Sequence, residues 1–243
     1  PGEIDAMRAA CRLAARTLRM ASELVKPGVS TEEINEAVHQ YTIDAGAVPA
    51  PLHYGADPER GIPPFPKSVC TSINDVICHG IPSPDERLKE GDIINIDVTS
   101  ILDGFHGDTS RTFFVGEPAP KIRKLVEVTH ECMMAGINTV KPKSRVRDIG
   151  AAIEDLATRH GYGVVEEYVG HGIGRRFHEP PQVPHCRTRG ENPRFRPGMT
   201  FTVEPMINMG RKETVLDPDR WTVRTKDGSL SAQFEHTVLV TPE

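Results

Sequence analysis

Three acidic residues, Asp97, Glu204 and Glu235, lie within or at the end of apolar, strand-like runs of the chain. An ionised carboxylate without a partner is very costly to bury, so such residues are usually paired or bind a metal ion. Taken singly, each acid is explained more simply by a salt bridge or by an exposed edge strand. Taken together, they indicate a metal-dependent site.

The dipeptide Asp103-Gly104 predicts a β-hairpin with a two-residue turn. This turn sets the register of the flanking strands, with Asp97 opposite Ser110 and Thr99 opposite Asp108. Asp97 and Asp108 are then diagonal neighbours on one face of the sheet, about 7–8 Å apart at the backbone. Two carboxylates that converge in this way repel each other unless a cation lies between them.

A histidine, His171, lies in the glycine-rich segment Gly170–Gly174. The glycines predict a turn whose backbone can approach a ligand closely. On its own, His171 is more simply a turn or packing residue, and the segment lacks the Lys-Ser/Thr of a phosphate loop. Four carboxylates and one imidazole suit Mn²⁺, Fe²⁺ or Co²⁺, and they also accommodate Zn²⁺. So many acids favour two bridged ions and hydrolysis by a metal-bridging hydroxide.

The elements that must position these residues alternate between helical and β patterns. Apolar spacing predicts a helix over residues 4–26, and the capping pair Ser30 and Glu33 begins a second helix that runs to Gly46. The Pro-rich stretch 49–66 is predicted to be a surface loop. Strands are predicted over 68–77, 92–101, 105–115, 163–169, 200–207, 220–225 and 234–240.

The second half of the chain repeats the layout of the first half. Val25-Lys26-Pro27 recurs as Val140-Lys141-Pro142, and apolar, acidic and glycine positions of the following helix match at the same offset. Duplication of a helix pair followed by strands explains the series. We therefore expect an α+β domain over residues 1–243, with pseudo-symmetric halves at about 1–116 and 117–243 and a site between them.

Composition argues against several other classes of protein. The net charge of −5 and the pI of about 6.1 give no basic excess for nucleic-acid binding. No apolar run approaches the ~20 residues of a membrane span, and the first residues lack the pattern of a signal peptide. The five cysteines include no C-x-x-C pair, which indicates a reducing compartment rather than a disulfide framework.

The segments that carry these residues resemble the type I methionine aminopeptidases, a branch of the pita-bread, M24-like metallopeptidases. The matching segments are 65–72, 78–82, 91–99, 104–108, 170–174, 197–206 and 231–237. The resemblance spans nearly the whole chain. It implies the duplicated pita-bread fold, with a central antiparallel sheet and helices outside. It also implies removal of the initiator methionine from nascent polypeptides that have a small second residue.

The resemblance also implies a role for each candidate ligand. Asp97 would bind one of two divalent ions (Co, Mn, Fe or Zn), and Asp108 and Glu235 would bridge both. His171 and Glu204 would hold the second ion. Glu204 would also handle protons around the attacking hydroxide.

Further residues match the family's substrate site. His79 and His178 match two histidines that contact the scissile amide, although each taken alone is more simply structural. The apolar methionine pocket, where aromatic and sulfur contacts favour a thioether, would include these histidines. The other pocket residues would be Cys70, Phe177 and Trp221, with Tyr54 and Phe65 beside them. Trp221 taken alone is more simply explained by core packing. Backbone oxygens at the positions of Asn74, Val76 and Ser231 hold a monovalent cation in type I relatives.

One stretch, residues 56–64, departs from the resemblance, since most relatives connect Gly55 to Phe65 almost directly. This stretch lies beside the expected rim of the pocket. The insertion of type II enzymes is absent, as is a Cys/His-rich N-terminal extension. We therefore expect a monomeric enzyme of bacterial or organellar type, in the cytoplasm or an organellar matrix. Nascent chains and the ribosome are the expected partners, with neither nucleic acid nor membrane as a primary ligand.

Two other functions stay open at this stage. A prolidase or aminopeptidase P would share the fold and the ligand types. Those enzymes normally carry a further N-terminal domain, and the segment Cys78–Pro82 favours the methionine-specific branch. A non-catalytic pita-bread module that binds a partner protein would typically lose ligands, whereas all five are present here.

Overall fold

The structure, a computed structural model, describes residues 2–242. Two helical pairs are present in this range. The helices are α1 (Gly2–Ser22), α2 (Thr31–Asp44), α3 (Pro120–Ile137) and α4 (Val146–Arg159). A short 3-10 helix spans Pro58–Arg60. Among the described residues, no helix combines the length and apolar character needed to cross a bilayer.

The strands form one large antiparallel sheet and one small sheet. They are β1 (Val48–Pro49), β2 (Cys70–Ile73), β3 (Val76–Cys78), β4 (Ile93–Leu102), β5 (Phe105–Phe114), β6 (Gly163–Val164), β7 (Gly170–Gly172), β8 (Glu179–Val183), β9 (Thr200–Val203), β10 (Met206–Asn208), β11 (Thr214–Leu216), β12 (Val223–Thr225) and β13 (Ser231–Leu239). The large sheet runs β1-β4-β5-β13-β9-β7-β8, with β2 paired to β4 and β10 paired to β13 and β6. The small sheet runs β11-β12-β3.

The expected duplication is visible in the helices and in the core. Helix α4 begins and ends 115 residues after α2. Each helix opens with an acid whose carboxylate accepts the backbone N–H three residues earlier, Glu33 from Ser30 and Asp148 from Arg145. Helix α1 packs on β4 and β5, and α3 packs on α4 and β13, with separate apolar clusters beneath the two pairs. This arrangement confirms the predicted α+β fold.

The predicted hairpin register is confirmed. Asp97 pairs with Ser110 and Thr99 pairs with Asp108. Both turn residues of Asp103-Gly104 have positive φ, 50° and 78°, as a type I′ turn requires. The turn therefore aligns the two acids as the sequence indicated.

Several predicted boundaries are wrong, and two of the differences have an identifiable local reason. Helix α1 ends at Ser22 rather than residue 26, because the next three backbone N–H groups bond three residues back and tighten the chain before Pro27. The predicted strand 200–207 is interrupted after Val203, since Pro205 has no N–H to give to a ladder. Elsewhere, a turn divides 68–77, and the strands within 163–169 and 220–225 are shorter than predicted. The second helix ends at Asp44 rather than Gly46, and the last strand begins at Ser231 rather than at residue 234.

Helix α1 lies against the strand that carries Asp108 with almost no space between the two backbones. A Cβ added at Gly107 would lie 2.3 Å from the carbonyl carbon of Ala10 and 2.4 Å from the amide nitrogen of Cys11. Neither backbone atom can rotate away. The glycine beside Asp108 is therefore required by the packing of α1 on β5.

We expect Gly107→Ala to lower the free energy of unfolding by about 2 kcal/mol or more, because overpacking against backbone forces α1 away from the sheet. Urea denaturation followed by circular dichroism measures this. Gly2→Ala, whose Cβ would meet nothing within 4 Å, is the control and should stay within about 0.5 kcal/mol of the parent. Equal stabilities of the two variants would contradict the close approach.

Candidate metal centre

Five neighbouring strands of the large sheet each deliver one of the predicted ligands. In the sheet order β4, β5, β13, β9 and β7, the residues are Asp97, Asp108, Glu235, Glu204 and His171. All five line a single cavity. The first two strands belong to the first half of the chain and the other three to the second half, so the cavity lies at the junction of the halves.

The strand register brings the acids to one face of the sheet. Ser110 is the cross-strand partner of Asp97 on one side and of Glu235 on the other. Directly opposed residues share a face, as do residues two apart on a strand, so Asp108 points the same way as these three. Strand β9 pairs with β13 up to the residue before Glu204. Glu204 therefore lies beside Glu235.

His171 presents an unprotonated ring nitrogen to the acids. Its Nδ1 lies 3.0 Å from the carbonyl oxygen of Gly172, which can only accept a hydrogen bond, so Nδ1 carries the proton. Its Nε2 lies 3.5 Å from Oε1 of Glu204 and 3.8 Å from Oδ2 of Asp108. A lone pair that faces carboxylate oxygens is stabilised by a cation between them.

The prediction that His171 lies in a turn is wrong, because Gly170–Gly172 forms strand β7. A Cβ at Gly170 would lie 2.4 Å from the carbonyl oxygen of Thr202, and one at Gly172 would lie 2.2 Å from that of Pro180. The glycines therefore allow close approach of neighbouring strands, which hold the histidine from both sides.

Asp108 and Glu235 are deeply buried, Asp97 and Glu204 are partly buried, and hydrogen bonds satisfy the four acids only in part. Asp108 is 4% exposed and Glu235 is 2% exposed. The hydroxyl of Thr99 donates to Oδ1 of Asp108 at 2.7 Å. Oδ1 of Asp97 is buried with no hydrogen-bond partner among residues 2–242. An unpartnered buried carboxylate oxygen is unfavourable unless a cation or proton neutralises it.

Burial and the proximity of the other acids raise the carboxyl pKa values in the metal-free protein. The pKa of Asp108 is raised to about 8 by burial and by the neighbouring Glu204. The pKa of Glu204 is raised to about 8 by burial and by Asp97. Burial followed by repulsion from Asp108 raises the pKa values of Asp97 and Glu235 well above their usual range. Without a cation, these groups therefore favour their protonated forms.

The donor set fits a divalent metal ion. One potential ligand atom from each of Asp108, His171 and Glu235 lies within 4.8 Å of the others. Asp97 and Glu204 lie outside this group of three but face the same cavity. The unpartnered oxygen of Asp97 and the unprotonated nitrogen of His171 are the two observations that a metal would explain.

The cavity above the acids has a volume of about 360 Å³. All seven predicted pocket residues line it, namely Tyr54, Phe65, Cys70, His79, Phe177, His178 and Trp221. The sequence did not single out Cys78, Tyr168 and Met206, which also line the cavity. An apolar residue near the end of a strand gives the same pattern whether it faces a core or a cavity, so no sequence signal distinguished them.

The two predicted non-ligand histidines, His79 and His178, both line the cavity. Burial lowers the pKa of His79 to about 4, so this ring is neutral at pH 7. Its ring contacts that of Tyr168 edge-on, with centroids 5.6 Å apart. His178 packs on His171 with centroids 4.1 Å apart, and its Nδ1 shares a hydrogen bond with the hydroxyl of Tyr54.

Two of the three residues predicted for a monovalent cation are in contact. The backbone N–H of Ser231 donates to the carbonyl oxygen of Asn74 at 2.9 Å. Asn74 has a positive φ of 54°, which turns the chain between β2 and β3. Val76 begins β3 and pairs with Arg224 of β12.

Comparison with known proteins agrees with this geometry. The model of metallopeptidase family M24 matches residues 5–242. Methionine aminopeptidase A of Synechocystis sp. is 54% identical over 241 residues, which cover 99% of this chain and 92% of that protein. The methionine aminopeptidase of Escherichia coli is 51% identical over 242 residues, which cover 99% and 89%.

Solved structures give the same result for the fold. The crystal structure of methionine aminopeptidase from Rickettsia prowazekii superposes with a TM-score of 0.93 at 50% identity, covering 100% of this chain and 94% of that chain. The prolidase from Pyrococcus furiosus superposes with a TM-score of 0.76 at 22% identity, covering 99% and 61%. The similarity to the prolidase is evidence for the fold alone.

The fold and the carboxylate–histidine cluster define a pita-bread metallohydrolase with aminopeptidase relatives. The chain belongs to metallopeptidase family M24.

The raised carboxyl pKa values predict how stability depends on pH in the chelator-treated protein. A carboxyl with a raised folded-state pKa favours folding below its unfolded pKa, and this contribution is lost as the pH rises through the folded value. For Asp108 and Glu204, stability is therefore lost between about pH 4, the pKa in the unfolded chain, and about pH 8, the pKa in the folded protein. Asp97→Asn replaces a carboxyl that must take up a proton, or repel its neighbours, when the metal-free chain folds, so its melting temperature should exceed that of the parent by at least about 2 °C at pH 8.

The difference should shrink at pH 5.5, where the parent cluster is largely protonated. Asp85→Asn, at an exposed position, is the control and should leave the melting temperature unchanged at both pH values. A lower melting temperature of chelator-treated Asp97→Asn at pH 8 would show that the acids do not repel one another.

Proposed function

We propose that this chain is a methionine aminopeptidase that hydrolyses the peptide bond after an N-terminal methionine in nascent polypeptides. The observation that carries this proposal is the cavity itself, which has four acids and a histidine at its floor and aromatic and sulfur-containing side chains in its wall. The floor suits metal-dependent hydrolysis, and the wall suits an apolar thioether. Relatives with about half their residues identical bear the same name.

Two divalent ions are the proposed cofactors, with Asp108 and Glu235 shared between them. Asp97 would hold one ion, and His171 with Glu204 would hold the other. Strands β5 and β13 lie between the strand of Asp97 on one side and the strands next to Glu204 and His171 on the other, which supports the shared roles. The unpartnered oxygen of Asp97 and the unprotonated Nε2 of His171 support the roles in which each of these residues binds a single ion. When bound, such ions activate water and stabilise developing negative charge.

Glu204 is the proposed proton carrier. Its Oε1 accepts a hydrogen bond of 2.5 Å from the hydroxyl of Thr202, which fixes the carboxylate at the end of β9. Its backbone N–H donates to Nε2 of His185 at 3.1 Å. The carboxylate is thereby oriented to take a proton from the attacking water and to pass it to the leaving amine.

His79 is proposed to contact the substrate at the scissile amide. A neutral imidazole donates one N–H, and the pKa of about 4 keeps His79 in that form. Such a hydrogen bond strengthens as the carbonyl oxygen gains charge in the transition state. His178, whose Nδ1 shares a hydrogen bond with the hydroxyl of Tyr54, is the second histidine proposed to contact the substrate.

The wall of the cavity supports methionine as the preferred residue. Phe65 is 2% exposed and Cys70 is 8% exposed, so the inner wall is apolar. Phe177 and Trp221 add aromatic surface, and Cys78 and Met206 add two further sulfur atoms. Sulfur–aromatic contacts favour a thioether modestly over other apolar side chains. The small second residue and a monovalent cation on the carbonyl oxygens of Asn74, Val76 and Ser231 remain predictions from the resemblance.

Peptide hydrolysis tests the proposal against the prolidase alternative. We expect release of methionine from Met-Ala-Ser peptides, faster than from Met-Leu-Ser, and no cleavage of x-Pro dipeptides. Chelator or Asp97→Ala should reduce release at least about 1,000-fold, because the loss of one ligand disrupts the metal site. Asp85→Ala is the control. Preferred cleavage of x-Pro, or full activity of Asp97→Ala, would overturn the proposal.

His79→Ala should lower kcat about 100-fold or more with little change in metal content, because it removes a donor to the transition state but no ligand. Inductively coupled plasma analysis of the purified variant gives the metal content. His160→Ala, at an exposed position, is the matched control and should retain full kcat. Parallel loss of metal and activity in His79→Ala would mean that the residue supports the metal site instead.

A further inference from the structure

The segment 54–65, which contains the stretch that departs from the family resemblance, is a hydrogen-bonded hairpin. The backbone N–H of Phe65 donates to the backbone carbonyl oxygen of Tyr54 at 2.9 Å. Asp57 and Ile62 exchange two backbone hydrogen bonds of 2.9 Å. The 3-10 turn Pro58–Arg60 forms its tip. We call this segment the 54–65 hairpin.

The 54–65 hairpin contacts Trp221 through three separate interactions. The indole N–H donates to the carbonyl oxygen of Pro63 at 2.9 Å. The ring of Phe65 meets the indole edge-on, with centroids 5.4 Å apart. Gly55 lies so close that an added Cβ would be 2.5 Å from Cη2 of the indole. The neighbouring Arg220 also donates to the carbonyl oxygen of Arg60, at 3.3 Å.

From these contacts we propose that the 54–65 hairpin holds Trp221 in place as a fixed, apolar wall of the substrate cavity and thereby sets the affinity for the N-terminal side chain. Trp221 lines the cavity, and its ring lies 6.3 Å from that of His79. Because Pro63 occupies the indole N–H, the ring offers the cavity only its apolar surface. A wall that is fixed before binding loses little entropy when the side chain enters.

This positioning role rests on the proposed function, and it predicts an effect on KM rather than on kcat. A side chain that the wall contacts equally in the ground state and in the transition state changes binding without changing the chemical step. The metal ligands lie on other strands and do not contact the hairpin through any of the interactions above. The hairpin should therefore influence affinity while the metal content stays constant.

Two glycines of the 54–65 hairpin form a matched pair for the test. Gly55 and Gly61 both have positive φ, 71° and 64°, so alanine strains the backbone similarly at either position. A Cβ at Gly55 collides with the indole, whereas one at Gly61 meets nothing within 4 Å. The pair separates displacement of Trp221 from strain in the hairpin.

We expect Gly55→Ala to raise KM for Met-Ala-Ser about ten-fold while kcat changes less than about three-fold, because the indole must move out of its position. Gly61→Ala should stay within about two-fold of the parent in both constants.

Trp221 is the only tryptophan of the chain, so fluorescence reports its position directly. Acrylamide quenching should increase in Gly55→Ala and remain at the parent value in Gly61→Ala.

A deletion of residues 56–64 that joins Gly55 to Phe65 provides a second variant. It removes the Pro63 acceptor, so the Trp221 emission should shift to longer wavelength and KM should rise. Equal KM and equal fluorescence in Gly55→Ala and Gly61→Ala, or in the deletion variant and the parent, would overturn the proposal. If the parent released no methionine, the proposed function would fail, and fluorescence would still decide whether the hairpin holds Trp221.

Discussion

Repulsion among four carboxylates buried at one place is the constraint on which this structure depends. Asp97, Asp108, Glu204 and Glu235 share the floor of one cavity, and burial together with their proximity raises each carboxyl pKa. A protein that retains such a cluster gives up stability in its metal-free form. Divalent cations would relieve the repulsion, and the proposed hydrolysis uses the same kind of cation. The destabilised metal-free site and the proposed activity thus have one physical origin.

The scaffold meets this constraint by placing one proposed ligand in, or directly after, each of five adjacent strands. Antiparallel register places cross-strand partners on a common face, so Ser110 can align Asp97 with Glu235. Glycines, which have no side chain, let neighbouring backbones pack closely and hold the strands rigidly. Gly107 does so against α1, and Gly170 does so against β9. Rigid strands position ligands more accurately than loops do, which matters because metal geometry tolerates little displacement.

The substrate cavity is constructed differently from its floor. Its wall draws on loops and short strands from separate parts of the chain, including the 54–65 hairpin and the segment that contains Trp221. Such segments vary more readily between relatives than the strands do. Variation of affinity and specificity can therefore occur in the wall while the proposed chemistry at the floor is preserved. The contact between Pro63 and the indole is one such feature of this chain.

The sequence by itself determined the local features of this protein. Turn chemistry at Asp103-Gly104 set the register of Asp97 against Ser110, and the repeated helix pair predicted the duplicated fold. Such signals act between residues close in the chain or between recurring patterns, so they can be interpreted without a structure. The acids in apolar strands and His171 indicated the five candidate ligands as one set, and the resemblance to a known family assigned their separate roles.

Only the tertiary structure decided which distant strands became neighbours. The pairing of β13 with β5 and β9 depends on burying the whole chain around one sheet, which no local pattern specifies. The same holds for the strand that contains His171, which the glycine pattern alone assigned to a turn, and for the docking of the 54–65 hairpin on Trp221. Contacts of this kind are selected by long-range packing and hydrogen bonding, and they become visible only once the backbone is folded.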